Sequence, residues 1–247
     1  DFTYQKKYGI RDYRGSGRAS GRETAARVAG GAVARGLLKK RGVEVIAYTL
    51  KAAGFTCASI DENEIEKNSM RAPDRETAGK MVKRVEELAR MGDSCGGIVE
   101  CRVRGVPAGL GEPVFNKLDA ELAKGIISIG AVKGIEFGAG FRASDMLGSE
   151  HNDWMDTSGF LTNNAGGILG GISTGEEIIF RAAVKPTSSI EKTQKTIDTE
   201  GRAQEIRTEG RHDPCICPRI IPVIEAMTCL VLVDLFMQLD EEKSWIT

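Results

Sequence analysis

The chain of 247 residues, 41% apolar and 28% charged, is long enough to bury a sizeable core and excludes disorder as a global state. Its formal net charge of −1 excludes a general polyanion binder, so nucleic acid is a poor partner and any anion must be recognised by a local arginine cluster. Six cysteines (Cys57, Cys95, Cys101, Cys215, Cys217, Cys229) include no CxxC pair and have no histidines at zinc spacing, which points to reduced thiols, a cytoplasmic protein and no structural metal.

Residues 1–17 carry aromatics, charges and glycines without a period and predict an ordered loop. The start at Asp1, without an initiator Met or a strand-entry pattern, leads us to expect a segment upstream. Ser20 with Glu23 three residues on is a capping box. Ala25, Val28, Ala29, Ala32, Val33 and Leu37 follow at helical spacing, predicting a helix over about 20–41 that Gly42 stops. Arg18 and Arg22 then fall at its start, where the helix dipole disfavours cations unless an anion lies nearby. Two apolar, β-branched runs within Val43–Ile60 predict a strand pair. Asp74 caps a second amphipathic helix through about Arg90. A glycine-rich turn at 92–97 and the strand Ile98–Val106 follow. Helix, turn and strand recur over 115–137, a loose echo that suggests internal duplication.

Residues 138–162, which include His151 and Trp154, have no period and predict a long loop or lid. The stretch 163–173 is the densest in glycine. It matches neither a dinucleotide fingerprint nor a Walker loop, but its glycines permit close approach of backbone to a flat or anionic ligand, or simply a bend between sheets. Glu177–Val184 predicts a strand that ends in Lys185-Pro186-Thr187-Ser188-Ser189. That set of a cation, a rigid turn and three hydroxyls suits a phosphate and equally a plain turn. An exposed hairpin or extension is expected over 190–209. Gly210–Arg219, GRHDPCICPR, then leads into the most apolar run, Ile220–Met237, where only Glu225 and Asp234 are charged. This run predicts a buried core helix and no membrane span, because Pro222, Glu225 and Asp234 interrupt it and no basic flank follows. A polar loop feeding a buried helix offers free N–H groups to an anion; an Arg–Asp pair that merely caps the helix is the alternative.

Seven segments occur in order: RASGRET at Arg18–Thr24, GDSCGGIVE at 92–100, VPAGLGEPVFNKLDAELA at 106–123, AVKGIEFGAGF at 131–141, NNAGGILGGIS at 163–173, KPTSSI at 185–190 and GRHDPCICPR at 210–219. Together they resemble chorismate synthase over nearly the whole chain. The resemblance implies an α+β fold: a β-α-β sandwich, helices layered between antiparallel sheets, with internal pseudo-symmetry, and residues 1–247 forming one domain. It implies assembly as a homotetramer, with a homodimer as the option for a shortened chain, and no membrane or nucleic-acid partner. The implied activity is that of a carbon–oxygen lyase of the shikimate pathway. It converts 5-enolpyruvylshikimate 3-phosphate to chorismate by trans-1,4-elimination of phosphate, with reduced FMN as cofactor and no net redox change.

Position by position, the resemblance assigns flavin contacts to Arg18, Ala19 and Ser20, with Ala19 in place of the commoner Ser. It assigns further flavin contacts to Gly130 and Ala131, where Gly130 replaces an Asn found in part of the family, and to Gly171, Lys185, Pro186, Thr187, Ser188, Ser189 and Arg211. Arg211 also serves the substrate site, Arg22 the substrate phosphate, and Asp213 is the catalytic carboxylate near flavin N5. His212 is expected in a structural or supporting role. The family's two catalytic histidines belong to motifs upstream of RASGRET, and Asp1 is expected to be the last residue of one of them. The resemblance therefore implies a core fragment with little turnover. The alternative is a non-catalytic scaffold that keeps fold and oligomer contacts, and binding of reduced FMN separates the two.

Overall fold

The computed structural model describes residues 2–246. The first element, α1 (Phe2–Tyr8), is a helix where a loop was expected. It buries nothing and so has no apolar period to betray it; Lys6 and Lys7 in its last turn and the Tyr4–Tyr8 ring contact at 5.4 Å support it locally. Two 3-10 turns, Gly17–Ala19 and Gly21–Glu23, precede α2 (Thr24–Lys40), which begins later than its capping box suggests. Ser20 Oγ accepts the Arg22 N–H at 3.3 Å and so caps the second of these turns.

Strand β1 (Glu44–Ala52) is followed by β2 (Phe55–Thr56), much shorter than the second half of the predicted pair. Beyond it the chain turns away to Asp74, which accepts the Ala58 N–H at 3.0 Å. Asp74 also caps α3 (Arg75–Arg90) by accepting the Thr77 N–H at 3.1 Å and the Thr77 hydroxyl at 2.7 Å. Next come β3 (Gly97–Arg104), α4 (Leu118–Ile127) and β4 (Val132–Phe137). The expected loop at 138–162 holds a 3-10 turn, the short helix α5 (Gly148–His151) and the hairpin of β5 (Met155–Asp156) with β6 (Gly159–Phe160). A second small hairpin, β7 (Ile168–Leu169) and β8 (Ile172–Ser173), occupies the glycine-rich stretch. Strand β9 (Ile178–Val184) precedes the exposed hairpin of β10 (Gln194–Ile197) and β11 (Ala203–Ile206), and α6 (Cys217–Ile246) closes the fold.

The main sheet has the order β2-β1-β3-β9-β4, with every neighbour antiparallel. The two helix–turn–strand units thus deliver β3 and β4 to opposite sides of β9, a structural counterpart to their sequence echo. Alternation splits the sheet cleanly. Val45, Ala47, Val99, Cys101, Val103, Phe180 and Ala182 are buried on one face, where Cys101 Sγ lies 3.9 Å from Thr228 Oγ1 of α6. Helices α2, α4 and α6 cover that face, so the described residues form a layer of helices on an antiparallel sheet, an α+β fold.

Helix α6 is long and apolar enough to cross a membrane by length and composition, yet its Ile221, Ile224, Cys229 and Leu232 are fully buried in the core. Helix α2 lies along it in the same direction. Arg27 Nη1 reaches Met227 Sδ at 3.9 Å, and Arg41 pairs with Asp240 at the far end. The closest approach is Gly31, where a Cβ would stand 2.3 Å from Ala226 Cβ. Val223 is buried and Met227 and Leu230 are half-buried, as the apolar period requires.

The opposite face of the sheet carries a network that sequence pattern did not disclose. Glu100, 2% exposed, accepts from the Tyr48 hydroxyl, from Arg102 at 3.0 Å and from Arg181 Nε at 2.7 Å. Arg102 and Arg104 continue it to Glu177, and Arg104 to Glu62. Burial, reinforced by the bond to Glu100, pushes the Tyr48 phenol far above its ordinary range, so it remains a donor.

Candidate active site

Four segments meet at the end of the sheet where β9 finishes and β3 and β4 begin. Beyond β9, the Lys185 N–H donates to Ala131 O at 2.9 Å, joining Lys185–Ser189 to the Gly130–Ala131 turn before β4. Ala131 has φ +76°, a left-handed conformation rare for a residue with a Cβ, and a Cβ built on exposed Gly130 meets nothing within 4 Å. Lys185 Nζ bonds to Ser188 Oγ. The Thr187 hydroxyl donates to Asp213 O at 2.9 Å, and Ser94 Oγ donates to Thr187 O at 2.7 Å. The Cys95 N–H donates to Pro214 O at 2.8 Å. The loop before α6 is therefore pinned between the 92–96 turn and the segment after β9.

Asp213 Oδ2 pairs with Arg219 Nε at 2.9 Å, in the first turns of α6. This partner was within the sequence stretch singled out, but only the helical turn shows which arginine reaches the carboxylate. Arg211 is exposed and pairs with no other side chain among the described residues. A cavity of about 70 Å³ lies between the segments and is lined by Asp93, Ser94, Ser189, Glu191, His212 and Asp213 among others. Lys192 holds the Asp93 carboxyl below the usual carboxylate range through a 2.6 Å bond. A hydrogen bond with Cys217, together with burial, pushes the Cys215 thiol up to about 12. A thiol raised in this way holds little thiolate at neutral pH.

Arg18, Ala19, Ser20 and Arg22 sit at the entrance to α2. Arg27, one turn into α2, ties that helix to the end of α4 through Ser128 Oγ at 2.7 Å, two residues before Gly130. Arg18 is exposed and makes no side-chain pair among the described residues, whereas Arg22 folds back on Gly15 O at 2.9 Å and Ser20 Oγ at 3.1 Å. Gly171 stands apart. Its carbonyl accepts the Leu118 N–H at 2.8 Å, at the start of α4, while Gly130 follows the end of that helix. A helix of 10 residues separates them by roughly 15 Å, so within one chain Gly171 does not join the cluster. Its glycine is required locally instead, since φ is +87° and a Cβ would strike the Lys117 side chain at 2.4 Å.

Fold and site together define an α+β core of an enzyme, with Lys185, Thr187 and Asp213 gathered at one end of its sheet. A family profile described as chorismate synthase matches residues 1–237. The chorismate synthase of Syntrophobacter fumaroxidans is 58% identical over 237 residues, covering 96% of this chain and 68% of the relative. That of Desulfosudis oleivorans is 57% identical over 234 residues, covering 95% and 66%. A solved structure titled "Crystal Structure of Chorismate Synthase" superposes with a TM-score of 0.77 at 28% identity, over 95% of this chain and 69% of that one. The chain belongs to the chorismate synthase family, lyases of aromatic biosynthesis, and spans about two thirds of the length of the relatives it matches.

Proposed function

We propose that this chain carries the site for reduced FMN and for the phosphate of 5-enolpyruvylshikimate 3-phosphate in a chorismate synthase, which eliminates that phosphate in the trans-1,4 sense. The observation that carries the reading is the junction of Lys185–Ser189 with Ala131 on one side and Asp213 on the other, made by the two 2.9 Å bonds. The donor set fits both anions. Arg18 and Arg211 are exposed cations without side-chain partners among the described residues, Lys185 is followed by three hydroxyls, and Ala131 and Gly130 leave an open backbone surface for a flat ring.

Bound reduced flavin supplies electron density to the reacting ring. The arginines stabilise charge gathering on the departing phosphate, where fixed donors in a dry site are worth most. Asp213, held by Arg219, would serve as the carboxylate that takes up the proton the ring loses and passes it on. Turnover by these 247 residues is expected to be low, because the two histidines implied by the resemblance have no counterpart among them. We assign the assembly, by the same reading, to a cytoplasmic homotetramer.

Anaerobic titration of the chain with photoreduced FMN, followed by flavin fluorescence, tests the assignment. Lys185→Ala and Arg211→Ala should each weaken binding about tenfold or more, the loss of one charge-assisted hydrogen bond. No binding by the unaltered chain would favour the scaffold reading and remove this one.

A further inference from the structure

His212 stands between the flavin-site arginine and the proton-accepting carboxylate of the proposed site, and its Nε2 atom is buried with no protein partner among the described residues. Buried polar nitrogens are satisfied in the great majority of native structures, so an orphan of this kind calls for a bound group. His212 and Asp213 both line the 70 Å³ cavity, although neighbouring residues ordinarily point apart. The other polar lining groups are Asp93, Ser94, Ser189 and Glu191. A cavity of that size with several polar partners exceeds what a water molecule needs. The approach to Nε2 is also built: a Cβ on Gly210, at φ +147°, would stand only 3.1 Å from it.

We propose that His212 is a positioning residue, whose Nε2 holds water in this cavity and thereby fixes the Gly210–Pro214 loop that presents Arg211 and Asp213. The inference rests on the flavin reading for its consequence but not for its geometry. Thr187 Oγ1 to Asp213 O and the Cys95 N–H to Pro214 O bond the loop directly to the segments on either side of it. A water bridge from the imidazole to the 92–94 turn adds a third point, enough to set the plane of the loop. The charged groups facing the cavity are Asp93 with its Lys192 partner, Glu191, and Asp213 with Arg219. An imidazole nitrogen can accept from the same water that donates to a carboxylate.

The test uses three variants. A glutamine amide reaches about as far as Nε2, an asparagine amide only as far as Nδ1, and phenylalanine has the ring without nitrogen. In the chain without ligand, amide exchange of Cys95 should rise about tenfold in His212→Asn and His212→Phe, the equivalent of one lost hydrogen bond, and stay within about twofold of wild type in His212→Gln. Reduced-FMN dissociation constants should follow the same order at matched melting temperatures, which a merely space-filling histidine would not produce. The proposal is overturned if His212→Gln behaves like the other two, or if all three match the unaltered chain. If the unaltered chain binds no reduced FMN, the flavin reading fails, and the exchange pattern alone decides the role of His212.

Discussion

Gly31→Ala tests the helix pairing on which the core depends. A Cβ at this position would lie 2.3 Å from Ala226 Cβ, 2.5 Å from Ala226 Cα and 3.0 Å from Ala226 O. None of these atoms can swing aside, so α2 and α6 must part or tilt, and overpacking of this kind costs about 1–3 kcal/mol. Alanine's preference for the helix returns about 1 kcal/mol. With the clash on backbone the upper end applies, and the net loss is about 2 kcal/mol, or about 4–8 °C in melting temperature for a chain of this size. Gly36 in the same helix is the control, because a Cβ there meets nothing within 4 Å. Gly36→Ala should gain about 0.5–1 kcal/mol. Urea titrations followed by circular dichroism compare the two under one slope. Should Gly31→Ala prove as stable as Gly36→Ala, the close crossing of α2 and α6 is wrong.

Further expectations follow from other parts of the fold. Asp74→Ala should cost about 1–2 kcal/mol as a lost helix cap, read from the urea midpoint. Hydrogen bonds from the Thr77 N–H and hydroxyl and from the Ala58 N–H hold the Asp74 carboxyl down to about 2. A folded value lowered in this way contributes stability that is present above the unfolded value of about 3.9 and lost as pH falls toward 2, so the variant should show a shallower acid limb in that window. Glu100→Gln should destabilise by about 3 kcal/mol, because Arg102 and Arg181 lose the buried carboxylate between them. Burial, with Asp74 nearby, pushes the Cys57 thiol up to about 11, so its alkylation rate should climb about tenfold per pH unit from pH 7 to 10; a plateau below pH 9 would contradict this.

What the residues disclosed in advance was the position of chemistry relative to element ends. Asp74 as a cap, the apolar period of α6 and the polar set after β9 each depend on neighbours close in sequence, and each stands where expected. Features set by register or by long-range approach were not legible. Strand β3 reads as alternating apolar and charged, but nothing in IVECRVR says that Glu100 will meet Tyr48 and Arg181 across two different strand pairings. Gly31, Gly30 and Gly36 look alike in the sequence, and only the α2–α6 crossing separates the one that cannot bear a side chain. Gly171 was grouped with the flavin contacts by motif, while its hydrogen bond to Leu118 puts it at the far end of α4. Helix α1 escaped because an exposed helix has no apolar stripe.

The location of the site follows from the direction of the two central helices. Because Arg27 meets Met227 and Arg41 meets Asp240, α2 and α6 run the same way, and both N-termini face the end of the sheet where β9 delivers Lys185. Antiparallel neighbours would have set one positive and one negative dipole end there and cancelled the field; parallel ones add. The loops entering both helices carry the cations, Arg18 and Arg22 before α2 and Arg211 before α6, so like charge gathers where the dipoles already disfavour it. Within these loops only part of that charge is offset: Arg22 turns onto a carbonyl and a hydroxyl, and Arg219 takes Asp213. Arg18 and Arg211 keep theirs exposed, and a bound dianion relieves both the side-chain repulsion and the dipoles at once. A neutral ligand would gain little from the same arrangement, which is a further ground for the phosphate we propose at this end of the fold.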